Sequence, residues 1–189
     1  IKTDERPDLF AATPPLESLR YIISKCASNQ GQSGRYCILS SDIKRAYFYA
    51  KASRPVFIEI PVEDREPGDE NKVGKLNLSL YGTRDAAQNW QKEYTSFMVG
   101  IGFKVGRASP CNFHHPGLNI TCTVHGDDFT SCGPETAIEW FRKKLEAKYE
   151  SKHDLLGPGS AHSKTIRVLN RVLSWTPEGI AYEADQRHA

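Results

Sequence analysis

Apolar positions recur at helical spacing in three stretches of the chain, and most of the others alternate or cluster as strands do. Leu16, Leu19, Ile22, Ile23 and Cys26 predict a helix entered through Thr13-Pro14-Pro15, with Thr13 as the cap oxygen and the prolines pre-setting φ; Asn29 to Gly34 ends it. A second helix from about Thr83 carries Trp90, Tyr94, Phe97 and Met98 inward and closes at Gly100 and Gly102. A third starts at Gly133-Pro134-Glu135, with Ile138, Phe141 and Leu145 on one side.

Arg35-Tyr-Cys-Ile-Leu-Ser40 reads as a buried strand that delivers Asp42 to its C-terminal end, followed by a helical turn through Ala46 to Ala50. Val56 to Ile60 reads as a strand stopped by Pro61, and Lys75-Leu-Asn-Leu-Ser-Leu80 alternates like a half-buried one. Leu118 to Val124 alternates with period two into His125-Gly126-Asp127-Asp128, and Phe129 to Cys132 returns, which puts the acidic pair at a hairpin tip. Near the end, Thr165 to Leu173, a turn at Thr176 to Gly179 and Ile180 to Tyr182 suggest a second hairpin. Helices and strands in mixed order predict an α+β fold in which one antiparallel sheet carries its helices on one face. Residues 1–189 are read as a single domain.

With 189 residues and 39% apolar content the chain can bury one good core. The apolar runs are far too short for a membrane span and no charged leader precedes one, so no membrane or secretory destination is expected. Five cysteines, Cys26, Cys37, Cys111, Cys122 and Cys132, with no C-x-x-C pair, predict reduced and mostly buried thiols in an intracellular protein. The net charge of +2 is unevenly spread: Glu63 to Glu70 is an acidic loop, while Arg142, Lys143, Lys144, Lys148, Lys152, Lys164, Arg167 and Arg171 load the last third. Arg142 to Lys148, with interspersed glutamates, reads as a solvated helix face. The opening on Ile1 and the unpunctuated end suggest a piece of something longer.

Chemistry enters with Asp42, Asp127 and Asp128. A turn aspartate alone means little, since Asp and Gly favour turns for backbone reasons. Asp42 at a strand end and an acidic pair at a hairpin tip 85 residues later are another matter, because adjacent strands of one sheet would bring all three together. Converging carboxylates repel one another unless cations are held among them, and two divalent ions a few ångström apart are what a phosphoryl transfer needs at its attacking and leaving oxygens.

Three segments in order resemble the reverse transcriptases of copia-type LTR retrotransposons. Asp42-Ile-Lys-Arg-Ala-Tyr-Phe48 is similar to the family's first palm motif, and Val124-His-Gly-Asp-Asp128 to its aromatic-x-Asp-Asp box. Between them, Lys75-Leu-Asn-Leu-Ser-Leu-Tyr-Gly82 with Trp90 downstream resembles the Lys-Leu-x-x-x-Leu-Tyr-Gly segment. His125 stands where the family has tyrosine, Gly126 where it has a small apolar residue, and Asp85-Ala-Ala87 where it has Gln-Ala-Pro.

The resemblance implies a palm sheet of the ferredoxin or RRM-like kind found in the DNA/RNA polymerase superfamily, here with part of the fingers. It implies RNA- and DNA-templated DNA synthesis, with Asp42, Asp127 and Asp128 as catalytic ligands of two Mg²⁺ ions, for which Mn²⁺ can substitute. A primer 3′-hydroxyl would attack a deoxynucleotide and pyrophosphate would leave. Ile43, Ala46, Tyr47, Tyr81 and Gly82 would line the nucleotide, Tyr47 rejecting a 2′-hydroxyl. His125, Gly126, Arg167 and Arg171 would contact primer and template, the arginines as part of a hairpin gripping phosphates. Position after the last palm helix alone makes Lys152 and Lys164 the candidates for a general acid that protonates the leaving pyrophosphate; the sequence does not decide between them. The implied partners are an RNA template, a DNA primer or duplex, deoxynucleoside triphosphates and companion ribonuclease H and integrase domains. The implied location is cytoplasmic, in virus-like particles, or nuclear.

Other readings stand beside this one. The same fold without turnover would be an inactive or domesticated nucleic-acid-binding remnant, against which the three retained aspartates argue. Gly126-Asp-Asp128 is also the mark of viral RNA-dependent RNA polymerases, against which the aromatic Tyr47 argues. Cys111-x-x-His114 and Cys122-x-x-His125 have the ligand types of a zinc module, although strand alternation puts Cys122 and His125 on opposite faces.

Overall fold

The computed structural model describes residues 11–31 and 35–183, which form two compact units, one built on Arg45–Phe97 and the other on Ala12–Lys44 with residues from Met98 onward. The class is α+β, and the paired strands of each sheet run antiparallel.

In the larger unit, α1 (Leu16–Ser28) buries Leu19, Ile22, Ile23 and Cys26 at the predicted spacing. Its cap is Pro15, not Thr13: no side chain caps the helix, and the Ser18 N–H donates to the Pro15 carbonyl at 3.0 Å. Pro15 at ψ 153° is extended, so helical geometry begins one residue later and Thr13 is out of reach. The predicted helix end lies partly outside the described residues, but Asn29 is the C-cap.

The principal sheet has the order β4 (Lys104–Val105), β5 (Asn112–His115), β6 (Ile120–His125), β7 (Asp128–Pro134), β1 (Tyr36–Ile43), β8 (Ser151–Leu156). Cross-strand partners share a face. Ile38 opposes Cys132 and Leu156, and all three pack with Leu19, Ile22 and Cys26 of α1. Ser41 opposes His153 on the other face, where His153 meets Glu146 of α3 (Glu135–Lys148) at 3.8 Å. Contrary to the expectation from sequence, the helices do not share one face: α1 and α3 cover opposite faces, because both faces of β1 are apolar along most of its length and each needs a cover.

The tail is a three-stranded sheet, β9 (Thr165–Val168), β10 (Arg171–Thr176) and β11 (Gly179–Tyr182), where one hairpin was expected. Leu169 and Asn170, at φ 48° and 61°, form the extra turn, and positive φ at both central residues is the type I′ signature. Leucine rarely occupies that region, so the sequence reads there as continuous strand. Ile166, Val168 and Leu173 join the cluster under α1. The charges of α3 behave as a solvated face: Arg142 is shared between Glu139 and Glu146, each at 2.6 Å.

The smaller unit opens with a 3₁₀ turn, Ala46–Tyr49, and contains the hairpin of β2 (Phe57–Glu59) and β3 (Val73–Lys75). The alternating Lys75 to Leu80 is not a strand beyond Lys75; Leu78 is 45% exposed and Ser79 is the buried residue, donating its N–H to the Ala50 carbonyl at 2.8 Å. The helix α2 (Ala86–Gly100) starts three residues later than predicted, because Gly82 at φ +88° and the Thr83 N–H to Leu80 carbonyl bond close a type II turn first. Trp90, Tyr94 and Met98 are buried, whereas Phe97 is only half-buried. Among the described residues no helix is long and apolar enough to cross a membrane.

Candidate functional site

The β6–β7 hairpin turns on Gly126 and Asp127, two residues between His125 and Asp128, which are paired. Gly126 has φ +64° while Asp127 is not among the positive-φ residues, the pattern of a type II′ turn, whose twist suits a hairpin. Open space surrounds the position a Gly126 Cβ would take, so only backbone conformation excludes a side chain there. Gly126→Ala is expected to cost about 1–2 kcal/mol, read from urea unfolding; an unchanged midpoint would mean that this turn tolerates an L side chain.

Asp128 opposes Asp42 across β7 and β1, His125 opposes Asp128 across β6 and β7, and Lys152 opposes Asp42 across β1 and β8. Four strands thus present the row His125, Asp128, Asp42, Lys152 on one face, the face on which α1 packs over Ile38, Cys132 and Leu156. His125, Asp42 and Lys152 are exposed, Asp127 and Asp128 half-buried. The Asp127 carbonyl accepts the Ile43 N–H at 3.1 Å, which ties the turn to the end of β1. Burial, then the charges of Asp127 and Asp42, push the Asp128 carboxyl above its usual range, with His125 acting the other way.

Behind Asp42, the Ser41 hydroxyl lies 2.8 Å from His153 Nδ1, and His153 Nε2 lies 2.8 Å from the Ser151 hydroxyl. Burial holds His153 below the ordinary imidazole range, so the ring is a neutral link between β1 and β8. This support was missed from sequence, because Ser151-Lys-His-Asp154 lacks the β-branched residues that mark a strand.

All three aspartates lie in the larger unit; Tyr47, Tyr81 and Gly82 lie in the smaller, where Tyr47 and Tyr81 stack at 4.3 Å and Phe48 meets Tyr81 edge-on at 5.7 Å. Ile43 and Ala46, expected to line a nucleotide, have no exposed surface, so their side chains are core and only their backbone is left for a ligand. Arg167 and Arg171 do not form one patch. Arg171 opposes the buried Val168, with its guanidinium 5.4 Å from the Tyr182 ring, and Arg167, one residue before Val168, projects exposed from the other face. Lys164 is committed elsewhere: its Nζ donates to the Gly157 and Gly159 carbonyls at 2.9 and 2.8 Å. The zinc quartet does not assemble among the described residues, where Cys122 is buried and His125 lies exposed on the opposite face of β6.

The donor chemistry at the row is hard oxygen, which suits Mg²⁺. The three carboxylates are not drawn around a single point; among the described residues, the one trio of ligand-type side chains with donor atoms all within 4.8 Å is Cys37, Glu135 and His162. Like charges spread, and oxygens that serve two ions about 3.5–4 Å apart need a wider setting than one ion requires.

A family model described as reverse transcriptase (RNA-dependent DNA polymerase) matches residues 5–162, and the chain belongs to this family. Among its relatives are copia-type Pol polyproteins. The chain is 27% identical over 171 residues to the retrovirus-related Pol polyprotein from transposon TNT 1-94 of Nicotiana tabacum, covering 86% of this chain and 12% of that protein. It is 23% identical over 156 residues to the transposon Ty1-DR1 Gag-Pol polyprotein of Saccharomyces cerevisiae, covering 82% of this chain and 9% of that protein. The chain therefore spans about a tenth of the length of these relatives.

Proposed function

We propose that the chain is the palm, with part of the fingers, of an RNA-directed DNA polymerase that joins a deoxynucleotide to a primer 3′-hydroxyl. The observation that carries this reading is the in-register pair of Asp42 and Asp128 on adjacent strands, with Asp127 at the intervening turn. Asp42, Asp127 and Asp128 would hold two Mg²⁺ ions, which when bound lower the charge on the reacting oxygens. The carboxylates position those ions; burial first, and then the charges of Asp127 and Asp42, raise the proton affinity of Asp128, and bound ions would relieve the second of these.

Lys152, at the end of the row beside Asp42, is the general-acid candidate, and Lys164 is not, since two carbonyls engage its ammonium. The stacked Tyr47 and Tyr81 are the sugar-selecting pair, Tyr81 holding the Tyr47 ring against rotation. An RNA template, a DNA primer and deoxynucleoside triphosphates are the substrates; ribonuclease H and integrase domains are the companions, in cytoplasmic virus-like particles or the nucleus.

The test is extension of a primed RNA template by the chain with Mg²⁺ and either deoxynucleotides or ribonucleotides. DNA synthesis is expected, and Tyr47→Ala is expected to raise ribonucleotide use by roughly tenfold to a hundredfold, the scale on which shape alone discriminates. Duplex binding without extension would point instead to a domesticated nucleic-acid-binding remnant. Ribonucleotide preference in the unaltered chain would favour an RNA polymerase.

A further inference from the structure

Away from the aspartate row, on the α3 side of the principal sheet, Cys37 of β1, Glu135 at the start of α3 and His162 in the β8–β9 connection converge. Cys37 Sγ is 3.7 Å from His162 Nδ1, and His162 Nε2 is 3.2 Å from Glu135 Oε1. The second Glu135 oxygen meets Arg35 Nε at 3.0 Å, which fixes the carboxylate from outside.

The loop around His162 is shaped to this ring. A Cβ at Gly157 would fall 2.5 Å from His162 Nδ1 and 2.8 Å from Cys37 Sγ, and one at Gly159 would fall 2.8 Å from the ring. Lys164 draws the same loop together through the two glycine carbonyls, and the Ser163 N–H anchors it to Leu155 at 2.9 Å. Glu135 and His162 also line a cavity of about 490 Å³, shared with Glu139 and Asp154.

We propose that Cys37 Sγ and His162 Nδ1 bind a thiophilic divalent cation such as Zn²⁺, with water completing the tetrahedron and Glu135, on the other ring nitrogen, orienting the imidazole. Bond lengths of about 2.3 Å to sulfur and 2.0–2.1 Å to nitrogen at a tetrahedral angle set a sulfur–nitrogen separation of about 3.6 Å, and the pair stands at 3.7 Å. Thiolate and imidazole select Zn²⁺ over Mg²⁺, so this site and the carboxylate row would take different metals. Binding breaks the Cys37 S–H bond, forms a sulfur–metal bond and releases one proton to solvent. It also replaces the hydrogen bond from the Gly159 N–H to Nδ1, now 3.1 Å.

The alternative chemistry for a Cys–His–Glu trio is a nucleophile, and it does not fit. Cys37 has no exposed surface, and burial and the Glu135 charge push its thiol up to about 12. A bound ion would instead clip the loop leading to β9 onto β1, the strand that carries Asp42.

Titration of the metal-free chain with Co²⁺, followed by Zn²⁺ competition, tests this. The expected result is one equivalent bound with a sulfur-to-cobalt charge-transfer band in the near ultraviolet, displaced by Zn²⁺. The band should vanish in Cys37→Ser and persist in Cys122→Ser, while the exposed-edge change Glu135→Gln weakens binding by about tenfold or more. Circular dichroism of each metal-free variant establishes that it is folded. Absence of the band in the folded chain, or its survival in folded Cys37→Ser, would overturn the proposal.

Discussion

Replacing Asp127 and Asp128 together by alanine is expected to lower Mg²⁺-dependent primer extension by at least about 10³-fold, as loss of metal-borne charge stabilisation does, while duplex binding persists. The same acidic row carries a stability cost when no cation is bound. Asp128 holds its proton more tightly when folded than an ordinary aspartate, through burial and the charges of Asp127 and Asp42. For a group raised in this way, the favourable contribution is full below the unfolded carboxyl pKa and is lost as pH rises through the folded one. At neutral pH the ionised Asp128 therefore destabilises the metal-free chain, and Asp128→Asn should raise its melting temperature by about 2–4 °C. That gain should shrink toward zero in acid, where both states of the parent are protonated. Extension that survives the double substitution would remove these residues from the metal-ligand assignment, and a lower melting temperature for Asp128→Asn would contradict the repulsion.

Asp85→Ala is expected to have the opposite sign at neutral pH and to loosen the smaller unit by about 2 kcal/mol, the scale of leaving buried donors unmet. The Asp85 side chain accepts from Ser53 at 3.0 Å and Asn89 at 3.3 Å and pairs with Arg54 at 3.2 Å. Burial works to raise its carboxyl, but these hydrogen bonds and the Arg54 charge outweigh it and leave it below the usual range. A depressed carboxyl contributes stability above the unfolded pKa, and that contribution fades as pH falls through the folded one. The gap between parent and variant should thus be full at neutral pH and close at the acid end of the carboxylate range. Hydrogen exchange of the amides around Ser79, Ala86 and Asn89 reports it directly; unchanged protection there would show that Asp85 is not the hub of this turn.

Local patterns determined much of what the chain becomes. The spacing of Leu19, Ile22, Ile23 and Cys26 decides the buried stripe of α1 before anything packs on it, and Ile138, Phe141 and Leu145 do the same for α3. His125-Gly126-Asp127-Asp128 makes a hairpin tip because glycine alone takes φ +64° there without strain. The order of the three motifs was enough to point to the family. What sequence could not decide depends on partners distant in the chain. Asp42 faces Asp128 and Lys152 only because β1 lies between β7 and β8, a strand order no local pattern encodes. That order also leaves both faces of β1 to be covered, by α1 and α3, and buries Ile43, while the turn at Leu169 and Asn170 sets the register that separates Arg167 from Arg171. Cys37, Glu135 and His162 are remote in sequence, and each is unremarkable alone; only the closure of the β8–β9 loop over β1 brings their donor atoms within 4.8 Å. Helical and strand periodicities are set by the backbone within a few residues, whereas a cluster of side chains exists only once long loops have closed and the entropy of closing them has been offset by the core.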